Sequence, residues 1–214
     1  MKALIWDLDG VIADTAPYHF AAWRKFFLEL GRNYTEQDFR KSFGRRNDDI
    51  LRDVLGNLSW EEVISFSRRK EELFREEIKG KIKPLPGVLQ LIGEARNAGF
   101  RLALVSSTPP ENIKLLLSSL SIEEYFECLV SDQDVRRGKP DPEGFLLAAQ
   151  RLQVPPNRCI VIEDAVAGVE AAKRAGMRCL AVTTTHPREK LSLADLVVDS
   201  LEVVSLQVLD SLLP

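Results

Sequence analysis

The sequence predicts an α/β fold: a doubly wound parallel sheet with an all-helical domain inserted into it. Two observations predict the sheet. Short apolar segments rich in β-branched residues recur along the chain, and amphipathic helical patterns separate them. A third observation predicts the insertion, because one long stretch after the first apolar segment has no strand pattern.

The predicted strands are nearly continuous in hydrophobicity, which is typical of strands covered on both faces. They are Ala3–Trp6, Arg101–Val105, Cys128–Val130, Arg158–Ile162, Arg178–Val182 and a weaker sixth, Leu196–Val198. Apolar residues at helical spacing predict the intervening helices, namely Gly87–Ala98, Glu111–Leu120, Pro142–Leu152 and Ala165–Ala175. Gly99 and Gly176 mark the ends of two of them. This order of elements predicts a Rossmann-like core.

The inserted stretch is rich in charged residues and has only helical periodicity. It predicts helices at Tyr18–Leu30, Thr35–Phe43, Asp48–Leu55 and Trp60–Ile78. The proline-punctuated segment Lys83–Gly87 marks the return to the sheet. We therefore predict a catalytic core of residues 1–15 and 84–214, and a helical cap domain of residues 16–83.

Composition narrows the classes of partner. The 214 residues are 45% apolar and 29% charged, and the net charge of −3 favours neither nucleic acid nor an anionic membrane as partner. No segment approaches the roughly 18 apolar residues of a membrane span, and no signal-peptide pattern precedes Asp7. The three cysteines lack CxxC spacing, which is typical of reduced thiols. We expect a cytoplasmic monomer or weak dimer that acts on a small molecule.

Polar side chains follow successive predicted strands. In chain order they are Asp7 and Asp9, Ser106 and Ser107, Lys139, and Glu163 and Asp164. Because parallel strands end at the same edge of a sheet, and ligands bind at that edge, we expect these side chains to meet. Any one of them has an ordinary explanation, such as a helix cap for the serine or a solvated loop for the lysine. Their joint occurrence at successive strand ends favours a functional site.

This edge predicts phosphoryl-transfer chemistry. Four carboxylates repel one another unless a cation lies among them, and ligands that are all oxygen favour Mg²⁺. Lys139 could supply positive charge to a phosphate, and the Ser106 hydroxyl could donate to its oxygens. One ionised aspartate could attack phosphorus, and a second carboxyl could transfer the proton.

With these residues in place, the chain resembles the haloacid dehalogenase superfamily over essentially its whole length. The segment Asp7–Thr15 is similar to the first motif of that superfamily, Ser106 to the second, Lys139 to the third, and Glu163-Asp164 to the fourth. The resemblance implies that Asp7 is the nucleophile and Asp9 the general acid/base. It also implies that Asp7, the Asp9 main-chain carbonyl and Asp164 hold Mg²⁺, with Glu163 as a direct or water-mediated ligand.

The segment around the first motif resembles the β-phosphoglucomutase-like branch of the superfamily in particular. The resemblance implies that cap-side residues near the substrate include Thr15, His19, Trp23 and Lys70, with Ser107 on the core side. Where that branch carries an arginine that grips a remote phosphate, this chain has Asn47, preceded by Arg45 and Arg46. Either arginine could reach the substrate, or the grip is absent.

Three functions stay open at this level. The acid at position 9 favours phosphoryl transfer over dehalogenation, because superfamily members that cleave carbon–halogen bonds lack an acid there. We expect a phosphatase of small phosphorylated metabolites such as sugar phosphates. The alternative is a sugar phosphate mutase of the β-phosphoglucomutase type. A remote alternative is a non-catalytic phospho-acceptor module, although such modules lack a helical insertion after the first strand.

Overall fold

A computed structural model describes residues 1–214 and contains the predicted parallel sheet. Its six strands are β1 (Lys2–Trp6), β2 (Phe100–Val105), β3 (Cys128–Val130), β4 (Cys159–Glu163), β5 (Arg178–Val182) and β6 (Leu196–Val198). All pairings are parallel and the strand order is β3-β2-β1-β4-β5-β6. The order reverses at β1, which places the end of β1 at the switch point where such sheets bind ligands.

Helices cover both faces of the sheet. They are α5 (Val88–Asn97), α6 (Pro110–Leu120), α7 (Glu143–Arg151), α8 (Val166–Arg174) and α9 (Leu206–Leu212). Successive residues of β1 belong to opposite core clusters: Leu4 and Trp6 pack in one, Ala3 and Ile5 in the other. This burial on both faces explains why the strands lack a polar alternation.

Four further helices follow β1, as the sequence predicts. They are α1 (Ala16–Glu29), α2 (Glu36–Ser42), α3 (Asn47–Leu55) and α4 (Trp60–Ile78). Thr35 and Ser59 form capping boxes that start α2 and α4. Aromatic residues join α1 to α4, for example Phe26 to Phe66 with ring centroids 5.5 Å apart. We refer to α1–α4 as the helical layer.

The two chain segments that lead into and out of the helical layer run side by side. Leu85 N donates to Ile12 O at 2.8 Å, and Ala13 forms an antiparallel bridge with Pro84. No helix of the chain is both long and apolar enough to cross a membrane. The three cysteines are buried as free thiols.

The structure differs from the predicted elements mainly at their ends. Most boundaries move by one or two residues, which is the usual uncertainty at frayed ends. No sequence pattern predicts α9, a short helix that begins after the capping Ser205. Its Leu209 is fully buried against the main core cluster, so tertiary packing stabilises a helix too short to be evident from periodicity.

Candidate active site

Asp7 directly follows β1, and its carboxylate lies in a buried cluster of charges. The residue is 6% exposed, and Lys139 donates to its Oδ1. Lys139 also donates to Glu163 Oε1 at 2.6 Å. Burial raises the pKa of Asp7 above its ordinary value, and Glu163 and Asp9 raise it further against the attraction of Lys139. Burial would lower the pKa of Lys139, but Asp7 and Glu163 outweigh it and keep the ammonium charged.

Three acids at the ends of β1 and β4 form a group of the kind that holds a metal. Ligand oxygens of Asp7, Glu163 and Asp164 all lie within 4.8 Å of one another, and all three residues are buried. Burial raises the pKa of Asp164, and the carboxylates of Glu163 and Asp7 add to that effect. Such acids ionise together only beside positive charge, and Lys139 supplies a single charge. The residues present therefore fit a hard divalent cation held by oxygen.

The backbone at Gly10 leaves space for this acidic group. Its φ is +81°, and a Cβ built there would lie 2.0 Å from Asp164 Oδ2. A side chain at this position would therefore displace the Asp164 carboxylate. The Thr185 hydroxyl, which would lie 2.8 Å from the same Cβ, donates to Asp164 Oδ2. Thr185 belongs to the loop after β5 and was not among the predicted site residues.

Asp9 faces away from the acidic group and has separate partners. Its Oδ1 accepts from the Thr15 hydroxyl at 2.6 Å and lies 3.2 Å from His19 Nε2, while Ser106 Oγ lies 3.5 Å from Oδ2. Burial opposes ionisation of Asp9, but His19, Thr15 and the more distant Lys70 hold its pKa below 3.8. The two acids of the first motif thus have different partners and lie in different electrostatic settings.

A hydrogen-bond chain leads from Asp9 into the helical layer. Lys70 Nζ lies 2.8 Å from His19 Nδ1, and because an ammonium can only donate, Nδ1 is the acceptor. His19 Nε2 then carries the proton and donates to Asp9. The His19 ring stacks on Phe74 at 3.8 Å, and Lys70 lies 5.1 Å from the Trp23 ring. Packing therefore fixes this Asp9–His19–Lys70 chain.

Lys70 is 2% exposed, although it lies within a run of charged residues. The rest of that run covers the outer surface of α4, where Arg69 pairs with Glu29 at 2.7 Å. Arg69 and Lys70 are successive residues of a helix, so their side chains point in different directions and only Lys70 points into the interior.

Two cavities flank the serines after β2. The cavity that we call the loop cavity includes Ser106, Ser107 and Lys139 in its lining, together with Arg46, Asp132 and Arg137 from loops around it. The cavity that we call the remote pocket lies beyond Asp9. Its polar lining consists of Asp9, His19, Arg45, Asn47, Lys70, Glu71, Ser107 and Thr108, and Trp23 is among its apolar residues. Ser107 lines both cavities.

The structure separates the two arginines that the sequence placed near the substrate. Arg45 lines the remote pocket and pairs with the exposed Asp53 at 2.7 Å. Arg46 turns the other way and donates to the main-chain carbonyls of Val135 and Arg136, at 3.2 and 3.3 Å. Of the two arginines, only Arg45 lines the remote pocket.

Glu71 and Asn112, like Thr185, contact the site residues but are not among those that the sequence predicts. Glu71, on α4, accepts from Asn47 and Lys70 and from the amide of Asn112 on α6. Arg75 donates to the Asn112 carbonyl at 2.8 Å, so one buried amide joins the core to α4 twice. Glu71 adjoins Lys70 in the sequence, but it lies in a run of charges where burial has no visible signal.

Comparisons with known proteins agree with this geometry. A family profile described as haloacid dehalogenase-like hydrolase matches residues 1–176. The chain is 36% identical over 178 residues to a phosphorylated carbohydrates phosphatase of Thermotoga maritima, covering 83% of this chain and 82% of that protein. It is 34% identical over 217 residues to a β-phosphoglucomutase of Bacillus subtilis, covering 98% and 94% of the two chains. A crystal structure of β-phosphoglucomutase from Clostridium difficile aligns with a TM-score of 0.89 at 31% identity, covering 99% and 96%.

Proposed function

This chain belongs to the haloacid dehalogenase-like hydrolases and is an enzyme of the phosphatase or phosphomutase type, and we propose that within this family it is a phosphatase of small phosphorylated metabolites. The substrate class is sugar phosphates, by analogy with the carbohydrate phosphatase and the mutase to which it is similar. The divergence of the two acids supports phosphoryl transfer by either type of enzyme: Asp7 contacts Lys139 beside the acidic group, and Asp9 contacts Thr15 and His19. The observation that carries the choice of a phosphatase is the 36% identity to the carbohydrate phosphatase.

In the proposed reaction Asp7 attacks phosphorus. The bond from phosphorus to the ester oxygen breaks as the bond to an Asp7 carboxylate oxygen forms, and Asp9 in its protonated form gives its proton to the leaving oxygen. Water then attacks the aspartyl-phosphate, Asp9 takes a proton from that water, and inorganic phosphate and free Asp7 result. Lys139 and Ser106 hold the oxygens of the transferring group.

Mg²⁺ is the cofactor that this proposal includes. Asp7, Asp164 and the main-chain carbonyl of Asp9 would hold it, with Glu163 as a direct or water-mediated ligand. When bound, Mg²⁺ offsets negative charge on the phosphoryl oxygens and among the acids. The buried acidic group supports this assignment, since all its ligand atoms are carboxylate oxygens.

The Asp9–His19–Lys70 chain, together with Thr15, favours the ionised form of the Asp9 carboxyl before the substrate binds. Thr15 and Lys70, the two ends of the set of partners around Asp9 and His19, are both buried. The negative charge of the bound substrate raises the pKa of Asp9, which then takes from solvent the proton that it gives to the leaving oxygen. Substrate binding and proton transfer are thereby linked.

A mutase of the β-phosphoglucomutase type is the second candidate. Similarity to the Bacillus subtilis mutase over 98% of this chain favours it. In a mutase a sugar hydroxyl, rather than water, attacks the phosphorylated Asp7. The two candidates therefore share every proposed residue role up to that step.

Phosphorus NMR with Mg²⁺, β-glucose 1-phosphate and a trace of glucose 1,6-bisphosphate separates the candidates. Growth of inorganic phosphate supports the phosphatase, and growth of glucose 6-phosphate with little inorganic phosphate supports the mutase. Asp7→Asn should fold normally and lose more than 99% of either activity, which is a minimum of about a hundredfold. Asp14→Asn, at an exposed acid close in sequence, is the control. Stable phosphorylation of Asp7 without turnover would support a phospho-acceptor module instead.

A further inference from the structure

Glu71 is a buried anion in the wall of the remote pocket. The residue is 4% exposed, next to Lys70 at 2% exposed. Its Oε1 accepts from Lys70 Nζ at 2.8 Å and from Asn47 Nδ2 at 2.7 Å, and its Oε2 accepts from Asn112. Of these partners, Lys70 and Asn47 line the remote pocket together with Glu71, and Asn112 supports Glu71 from behind the wall.

The donors around Glu71 keep it ionised. Burial alone would favour the neutral acid, but Lys70 and His19, with the hydrogen bonds from Lys70 and Asn47, lower its pKa below the ordinary value. A buried carboxylate is tolerated when each oxygen is hydrogen-bonded and a cation lies against it, as is the case here.

Both permanent cations that line the remote pocket, Arg45 and Lys70, are paired with a carboxylate. Arg45 pairs with Asp53 at 2.7 Å, and Lys70 pairs with Glu71 at 2.8 Å and donates to His19. A neutral, hydroxyl-bearing group entering this pocket meets donors and acceptors without a charge penalty. A second phosphate would bring about two negative charges into a wall that holds no net positive charge.

We propose that Glu71 is a specificity residue that makes the remote pocket select phosphate monoesters with an uncharged remainder and reject bisphosphates. The proposal rests on the proposed function, because it assumes that the phosphate to be transferred binds at Ser106 and Lys139. Glu71 acts through charge: it cancels Lys70, which would otherwise attract a second phosphate.

The test measures binding, so that it does not depend on turnover. Dissociation constants of glucose 6-phosphate and glucose 1,6-bisphosphate are measured by calorimetry with Mg²⁺, in an Asp7→Asn background that prevents reaction. In the Asp7→Asn protein that retains Glu71, glucose 6-phosphate should bind more tightly than glucose 1,6-bisphosphate. Glu71→Gln should shift the ratio of the two constants towards the bisphosphate by about tenfold or more, because one charge close to a phosphate in a poorly solvated pocket is worth at least that.

Matched variants separate charge from structural damage. Glu72→Gln removes the neighbouring carboxylate on the exposed side of α4 and should leave the ratio unchanged. Lys70→Gln should shift the ratio towards the monophosphate, and it gives a readout even if Glu71→Gln fails to fold. The double variant Lys70→Gln/Glu71→Gln restores neutrality, and its ratio should return to that of the parent.

The outcomes are distinct. A ratio that stays constant in Glu71→Gln, or two constants that weaken in parallel, would overturn the role of Glu71. A parent that binds the bisphosphate more tightly would overturn it too. Failure of the wild-type chain to release phosphate from a panel of sugar monophosphates would instead contradict the proposed function, whatever the binding ratio.

Discussion

Glu163 Oε1 accepts a hydrogen bond from Lys139 Nζ at 2.6 Å, and both side chains are buried beside Asp7. The second oxygen of Glu163 accepts the main-chain N–H groups of Asp164 and Ala165, at 2.9 and 3.0 Å. Two main-chain donors thus orient the carboxylate that holds the lysine. The loop that carries Lys139 is positioned by β4 as well as by its own backbone.

Lys139→Met is expected to lower kcat/KM by about a hundredfold or more, because it removes a buried charge from the phosphoryl group. Glu163→Gln is expected to cost less, since it loosens the lysine without removing it. Steady-state kinetics measure both, with Lys114→Met, at an exposed lysine of α6, as the control. A loss below tenfold in Lys139→Met would show that Lys139 does not hold the transferring oxygens.

The sheet and the set of side chains at its edge could be predicted from the sequence, because both depend on local patterns. Apolar runs defined the strands, and residues directly after parallel strands necessarily share one edge. Thus Asp7, Lys139, Glu163 and Asp164 meet as predicted. The predicted membership of the haloacid dehalogenase-like family and the predicted fold class are both confirmed.

The residues that line the remote pocket were harder to predict from the sequence. The contact between Glu71 and Asn112 joins α4 to α6, and no local pattern specifies how the helical layer lies on the core. Arg45 and Arg46 are adjacent in the sequence and line different cavities, because the chain turns between Gly44 and the start of α3. Such assignments depend on tertiary packing.

Mg²⁺ is expected to raise the melting temperature of the wild-type chain, because a ligand that binds only the folded state stabilises it. Asp164→Asn should abolish that increase. Thr185→Val removes the hydroxyl that donates to Asp164, and it should weaken Mg²⁺ binding by about tenfold or more. Calorimetric titration with Mg²⁺ measures the affinity directly.

Thr184→Val is the matched control for Thr185, because it is adjacent, exposed and of the same chemistry. It should leave Mg²⁺ affinity unchanged. Thr185→Ser keeps the hydroxyl and should retain most of the wild-type affinity. Equal affinities in Thr185→Val and the wild type would contradict a positioning role for this hydroxyl.

Two helical glycines give opposite predictions for the same substitution. A Cβ at Gly168 in α8 would lie 1.8 Å from Glu163 Oε1, whereas a Cβ at Gly93 in α5 would meet nothing within 4 Å. Gly168→Ala should therefore displace Glu163, reduce activity and lower the free energy of unfolding by about 1 to 3 kcal/mol. Gly93→Ala should raise it by about 0.5 to 1 kcal/mol and leave activity intact. Urea denaturation and a phosphatase assay on both variants test the pair, and stabilisation by Gly168→Ala would contradict this packing.

Asp132, in the wall of the loop cavity, is expected to make stability depend on pH. Its Oδ1 is buried without a hydrogen-bond partner, and burial raises the pKa of the carboxyl to about 6 from 3.8. The folded state then binds the proton more tightly than the unfolded state, so the contribution of this group is full below pH 3.8 and is lost as pH rises through about 6. The side chain of Asp132→Asn stays neutral at every pH. At pH 8 this variant should therefore have a higher free energy of unfolding than the wild type, by up to roughly 2 kcal/mol after allowance for partial exposure. Urea denaturation at pH 5 and pH 8, about one unit below and two above that pKa, measures the free energy of unfolding of both proteins. The difference between Asp132→Asn and the wild type should be smaller at pH 5 than at pH 8. An advantage equal at both values, or one shared by the exposed control Asp14→Asn, would assign the effect to something other than this proton.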